Sequence, residues 1–159
     1  MEIKIREATS WDLYFIKMAH LIASKSKDPS TKVGAVVVGP DNEVLTTGFN
    51  GFPRGVEEVE FPERWERPEK YNWIVHAEAN CVANAARVGV RLKDSTMYMN
   101  FAPSPCTGCT GLTINAGITT IIGPDITFSG VGKGIHYDVD DISQIMLKEV
   151  SMDRYIIKE

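Results

Sequence analysis

The chain reads as an α/β protein in three layers, with a mixed five-stranded sheet covered by helices on both faces. Two observations carry that reading. Val33-Gly34-Ala35-Val36-Val37-Val38 is a continuous apolar run, as in a strand buried on both faces. After one hairpin, short β-branched runs alternate with stretches of helical period.

The elements follow in order. Thr9 or Ser10 caps a first helix over about 10–26, with Asp12 in its first turn and Leu13, Ile16, Ala19, Leu21, Ile22 and Ala23 near helical spacing. Asp28-Pro29-Ser30 ends it. Val33–Val38 is a strand, Pro40-Asp41-Asn42 a turn, and Glu43–Phe49 the hairpin partner. Residues 50–73 read as a long loop, because Pro53, Pro62 and Pro68 interrupt a dense run of charged side chains. The alanine-rich stretch from His76 to Arg87 is helical and stops at Gly89. A strand over Thr96–Asn100, a helix over Cys106–Ala116 stopped by Gly117, and a strand over Thr119–Ile122 come next. Pro124–Tyr137, with Gly130, Gly132 and Gly134, reads as a second long loop. A helix over Asp138–Val150 and a short strand over Met152–Ile157 complete the order α-β-β-α-β-α-β-α-β.

The composition narrows the class of function. A chain of 159 residues is expected to form one domain, residues 1–159, with a real core. Its net charge of −4 argues against a nucleic-acid partner, which needs a basic face. No apolar run reaches the roughly 18 residues of a membrane span, so no membrane partner is expected. Met1–Glu7 alternates charge and shows no secretory signal. Three cysteines, two of them in a C-x-x-C pair, suit metal binding or redox in a reducing, cytoplasmic compartment.

The chemistry lies in two segments, His76-Ala77-Glu78 and Pro105-Cys106-Thr107-Gly108-Cys109. Together they spell H-x-E … P-C-x-x-C, the signature of zinc-dependent nucleobase deaminases. His76, Cys106 and Cys109 supply three ligands for Zn²⁺, and a three-ligand site keeps a position open for water, unlike a closed structural site. Glu78 is placed to move protons without binding the metal. Either motif alone is weak; the two in this order, each opening a predicted helix, are specific. Cys81, within the helix after Glu78, is expected to be a small core residue.

These motifs resemble the cytidine deaminase superfamily, and further segments resemble its deoxycytidylate (dCMP) deaminases. The segments are Ser26–Ala35, Thr47–Gly55 with its G-x-N-G-x-P-R-G pattern, Ser95–Met99 and Ile114–Ile118. The resemblance runs from about Ala19 to Ile122 and more loosely over the last helix and strand. It implies a cytidine-deaminase-like fold and the hydrolysis of dCMP to dUMP and ammonia, feeding thymidylate synthesis. It implies Asn50 on the deoxyribose 3′-hydroxyl and backbone around Ala77 and Pro103-Ser104 on the pyrimidine edge. Candidates for the substrate phosphate are Arg54, Arg87, Lys133 and the Gly130–Gly134 loop, which also reads as a plain connector. His136 and Tyr137 are candidates to cap the base, with a core role open for Tyr137.

The resemblance further implies a homohexamer activated by dCTP and inhibited by dTTP, with Mg²⁺ accompanying the nucleotide. Lys27, Asp28, Lys32, Gly51 and Arg54 fall in the matching segments. The plainer reading of Asp28-Pro29-Ser30 is a helix-ending turn among solvated lysines. Two departures stand out. No Cys or His lies between Asn50 and Trp73 to hold the second zinc of some relatives, so one zinc per subunit is expected. Asn80-Cys81-Val82 replaces the usual Asn-Ala-Ile, a small-for-small change in helix packing. Competing readings are another cytosine nucleotide as substrate, dCTP or a 5-substituted dCMP, and a catalytically silent zinc-bound nucleotide sensor.

Overall fold

A computed structural model describes residues 3–126 and 141–158. Strand β1 (Lys4–Glu7) and helix α1 (Ser10–Ala23) precede the hairpin of β2 (Gly34–Val38) and β3 (Val44–Phe49). A 3₁₀ turn (Pro62–Trp65) and the short α2 (Lys70–Trp73) lead into α3 (Ala77–Val88) and β4 (Ser95–Met99). Then come α4 (Thr107–Asn115), β5 (Ile118–Pro124), α5 (Asp141–Glu149) and β6 (Asp153–Lys158).

The sheet order is β1-β6-β5-β4-β2-β3. Strand β2 runs antiparallel to both of its neighbours, and every other pairing is parallel. The three layers and the mixed sheet are as expected, but the sheet has six strands rather than five. The extra one is β1, whose residues are mostly exposed and which pairs with β6 from the far end of the chain. No local periodicity marks such a strand. The long loop also holds the 3₁₀ turn and α2, and the first helix stops at Ala23 rather than near residue 26. The expected roles of Lys133, His136, Tyr137 and the Gly130–Gly134 loop lie outside the described residues.

Strand β2 is buried along all five residues, and its side chains feed two cores. Val36 and Val38, with Tyr98 and Ile122, meet Phe15, Ile16 and Ala19 of α1. Ala35 and Val37, with Met97, Met99 and Ile121, meet Ala77, Cys81 and Ala85 of α3 and Leu147 of α5. One helix therefore covers one face, and the helices that carry the motifs cover the other.

Local chemistry fixes both interfaces. Thr9 caps α1 in a reciprocal box: its hydroxyl accepts from the Asp12 amide, and the Asp12 carboxylate accepts from the Thr9 amide. Gly48 in β3 lets α3 approach, since a Cβ there would lie 2.4 Å from the Ala77 carbonyl oxygen. Asn80 and Asn84 of α3 then donate to the Phe49 and Thr47 carbonyls at 2.8 and 2.7 Å, covering the open edge of β3. The start of α3 is thereby held against the hairpin. Among the described residues, no helix is long and apolar enough to cross a membrane.

Candidate active site and metal centre

Two helix N-termini converge on one point. His76 is the N-cap of α3 and Cys106 the N-cap of α4, both with extended backbone, while Cys109 lies in the first turn of α4. Neither N-cap side chain caps its own helix; both turn instead toward the other helix. His76 Nδ1 lies 3.4 Å from Cys106 Sγ and 3.5 Å from Cys109 Sγ. All three donor atoms lie within 4.8 Å of one another, and no other such group of His, Cys and acidic residues gathers among the described residues. Ideal tetrahedral zinc places N and S ligands about 3.6 Å apart and two S ligands about 3.8 Å apart. The donor set therefore fits zinc in chemistry and in spacing. Pro105, ahead of the ligands, is fixed through its carbonyl, which accepts from Ser143 of α5 at 3.0 Å. Cys81 is fully buried in the core, as expected.

The electrostatics suit a cation. Cys109 and His76, hydrogen-bonded to the Cys106 sulfur, pull its thiol down to about 3. The same contact pushes Cys109 up, so a single negative charge is shared between the two sulfurs. A bound cation drives off the second proton. The contact with Cys106 raises His76 against the opposing effect of burial.

Glu78, in the first turn of α3, is 3 % exposed. Burial pushes its carboxyl upward, and among the described residues no side chain donates a hydrogen bond to it. It lines a solvent-open cleft together with His76, Ala77, Cys106, Ser104 and Asn50.

The expected residues divide into three groups. Ala77 and Ser104 line the cleft, with Pro103 buried behind them. The Ser104 amide is spent on the Ala102 carbonyl at 2.7 Å, which leaves the hydroxyl and carbonyls of that bend for a ligand. Asn50 lines the cleft, yet its amide is largely committed. Its Oδ1 accepts from the Val33 amide at 2.8 Å, and its Nδ2 donates to the Thr31 carbonyl at 2.8 Å and to Asp28 at 3.3 Å.

The third group is not at the cleft. Arg87 lies exposed in the last turn of α3, about 15 Å along the helix from Ala77 at 1.5 Å per residue. Lys27 pairs with Glu58, Lys32 donates to the Ser26 carbonyl, and Gly51 bridges to Val75. Arg54 is exposed and does not line the cleft.

Asp28, expected either at a regulatory nucleotide or in a helix-ending turn among solvated lysines, lies in the segment after the helix and is buried. It is 0 % exposed and forms a buried ion pair with Lys70 at 2.7 Å. Burial would raise its carboxyl, but hydrogen bonds from Lys70 and Ser30 outweigh that and hold it below its usual range. Lys70, Arg67 and Thr31 complete the wall of the cleft, and sequence reasoning had passed over all three. The available signal was that residues 50–73 are long for a featureless loop.

Fold and donor set together define an α/β protein whose described residues offer a metal three ligands, the number that leaves a coordination position for water. The chain belongs to the cytidine and deoxycytidylate deaminase zinc-binding family, whose model matches residues 9–123. It is 35% identical to a probable deoxycytidylate deaminase of Drosophila melanogaster over 75% of this chain and 61% of that one. It is 37% identical to the deoxycytidylate deaminase of Homo sapiens over 70% of this chain and 63% of that one. The chain thus spans about three fifths of the length of these curated relatives. A crystal structure of dCMP deaminase from the cyanophage S-TIM5, in complex with dCMP and dUMP, superposes with a TM-score of 0.69. That match is at 22% identity over 96% of this chain and all of that one, a likeness of fold.

Proposed function

We propose that this chain hydrolyses dCMP to dUMP and ammonia. The observation that carries the proposal is a buried Glu78 carboxyl beside the His76–Cys106–Cys109 donor set, in one open cleft. The curated deoxycytidylate deaminases named above support the choice of substrate.

His76, Cys106 and Cys109 would hold zinc, which when bound would supply a water acidified to a pKa near 7. Glu78 would take a proton from the attacking water and deliver it to N3 of the pyrimidine as the water oxygen bonds to C4. It then carries a second proton to the departing amino group at C4, so that water enters and ammonia leaves. Burial raises its proton affinity above that of an exposed carboxyl. Ala77 is the first residue of α3, so its amide has no partner within the helix and serves the base edge. The Pro103 and Ser104 carbonyls accept from the exocyclic amine. Asn50 meets the sugar as an acceptor, because its Nδ2 hydrogens are spent and its Oδ1 keeps a lone pair for the 3′-hydroxyl.

The same reading includes a cytoplasmic homohexamer that supplies dUMP for thymidylate synthesis. It includes activation by dCTP with Mg²⁺ and inhibition by dTTP, through Lys27, Lys32, Gly51 and Arg54. The family resemblance of residues 26–35 and 47–55 supports it. Asp28 has no place in it as a metal ligand, since both of its oxygens are occupied within the chain.

Ammonia release from zinc-analysed protein is the test, with dCMP, dCTP, deoxycytidine and CMP each offered alone and with dCTP·Mg²⁺ or dTTP. Turnover of dCMP that rises with dCTP and falls with dTTP is the expected result. No turnover of any of them, with one zinc per chain, would replace the enzyme by a zinc-bound nucleotide sensor.

A further inference from the structure

We infer that Arg67 recognises the 5′-phosphate of the substrate and so selects a nucleoside monophosphate over a nucleoside. This rests on the deaminase reading above.

The argument is one of charge at the cleft. A phosphate monoester bears close to two negative charges near neutral pH, so its subsite needs a cation that is not already neutralised. Among the described residues, the cleft wall carries one lysine and one arginine, Lys70 and Arg67. Lys70 is 3 % exposed and its ammonium is spent on Asp28 at 2.7 Å and Ser30 at 2.9 Å. Drawing it toward a ligand would leave a fully buried carboxylate unpaired.

Arg67 is in the opposite condition. It is exposed, and its one hydrogen bond to a side chain is a weak one from Nη2 to the Thr31 hydroxyl at 3.3 Å. Among the described residues it forms no ion pair, although six glutamates lie between residues 57 and 69. Those that interact do so elsewhere: Glu58 with Lys27, Glu69 with Trp73, and Glu57 with the amides of Val59 and Glu60. Thr31 instead turns Arg67 toward the cleft. An exposed guanidinium with most of its five donors unspent among the described residues, lining the same cleft as the buried Glu78, suits a phosphate at the exposed end of a bound nucleotide.

The segment that holds Arg67 is itself fixed. Phe52 stacks on Trp65 with ring centroids 4.1 Å apart, and the Arg64 guanidinium lies 4.1 Å from the centre of the Trp73 ring. Lys70, three residues on, is anchored to Asp28 across 42 residues of chain. The stack and the ion pair secure the loop on both sides of residue 67, so less ordering cost falls on the phosphate contact.

The test is steady-state kinetics of wild type and Arg67→Gln with dCMP and deoxycytidine, paired with calorimetry of dUMP binding to the same two proteins. Losing a charge-assisted contact to phosphate should raise KM for dCMP about 10–100-fold with kcat changed less than about threefold. The dCMP-over-deoxycytidine ratio of kcat/KM should fall by the same factor, and Arg67→Lys should recover part of it. Unchanged KM and unchanged dUMP affinity in Arg67→Gln would overturn the assignment. No turnover of dCMP by wild type would instead overturn the deaminase reading, and the calorimetric comparison would then decide Arg67 by itself.

Discussion

Asp12 and Glu78 are both buried carboxyls in the first turn of a helix, one on each side of the sheet, and they behave in opposite ways. Asp12 is 1 % exposed and accepts five hydrogen bonds, two from Arg6, two from Thr9 and one from Tyr98. Burial would raise it, but those partners outweigh burial and bring it to about 2. Glu78 is 3 % exposed, receives no hydrogen bond from a side chain among the described residues, and is pushed upward by burial. Helix position and burial are alike, so the difference lies in the partners. A carboxylate saturated with donors holds three segments of chain together and is useless as a base. One with no side-chain donor among the described residues keeps a proton affinity that chemistry can use. Asp28 is a second case of the first kind on the wall of the same cleft, with Ser30, Thr31, Asn50 and Lys70 as donors.

Removing the unsaturated carboxyl should have the largest effect on activity. Glu78→Gln keeps the size of the side chain and loses proton transfer, so turnover should fall at least about 10²–10⁴-fold with one zinc per chain retained. It also replaces a charge that burial disfavours, so its thermal midpoint should not fall below that of wild type. Turnover within tenfold of wild type, or loss of zinc, would break the contrast between the two carboxyls.

The saturated carboxylates should show the reverse pattern, with stability as the main loss. Lys70→Met leaves Asp28 as a buried charge without its counter-ion, which costs about 3–5 kcal/mol. For a chain of this size that lowers the midpoint by roughly 6–20 °C. The double variant Asp28→Asn with Lys70→Met should recover much of it, because the pair and not either member is what burial tolerates. A single and a double variant of equal stability would show that the ion pair is solvated in solution.

What was legible in the sequence follows the same division. Thr9 and Asp12 sit three residues apart, so a capping box could be seen in a short window, and the β-branched run of β2 announced its own burial. The zinc site was legible although its halves lie 30 residues apart, because residue types and spacing there are dictated by the metal. Asp28 and Lys70 lie 42 residues apart, and each taken alone has the look of a solvated charge. Their burial depends on finding each other, which no local pattern encodes. Strand β1 was hidden for the same reason, since its partner β6 lies at the other end of the chain. Arg87 was drawn toward the cleft by its charge alone, and the helical rise carries it away.

The smallest of these effects is also the most direct measure of Asp12. Its carboxyl titrates at about 2 in the folded protein against 3.8 ordinarily, so folding favours its ionised form. That contribution is fully present above about pH 4 and is lost as the pH falls through 2. The difference between these two values corresponds to about 2 kcal/mol. Asp12→Asn cannot ionise and lacks the contribution at every pH. Urea unfolding of the two proteins from pH 7 down to 2.5 should therefore show a stability gap that is constant to about pH 4 and then narrows. Other titrating groups, Asp28 among them, are present in both proteins and cancel in the difference. A gap that stayed constant to pH 2.5 would mean that Asp12 acts through the shape of its hydrogen bonds and not through its charge. The contrast with Glu78 would then be one of packing instead of electrostatics.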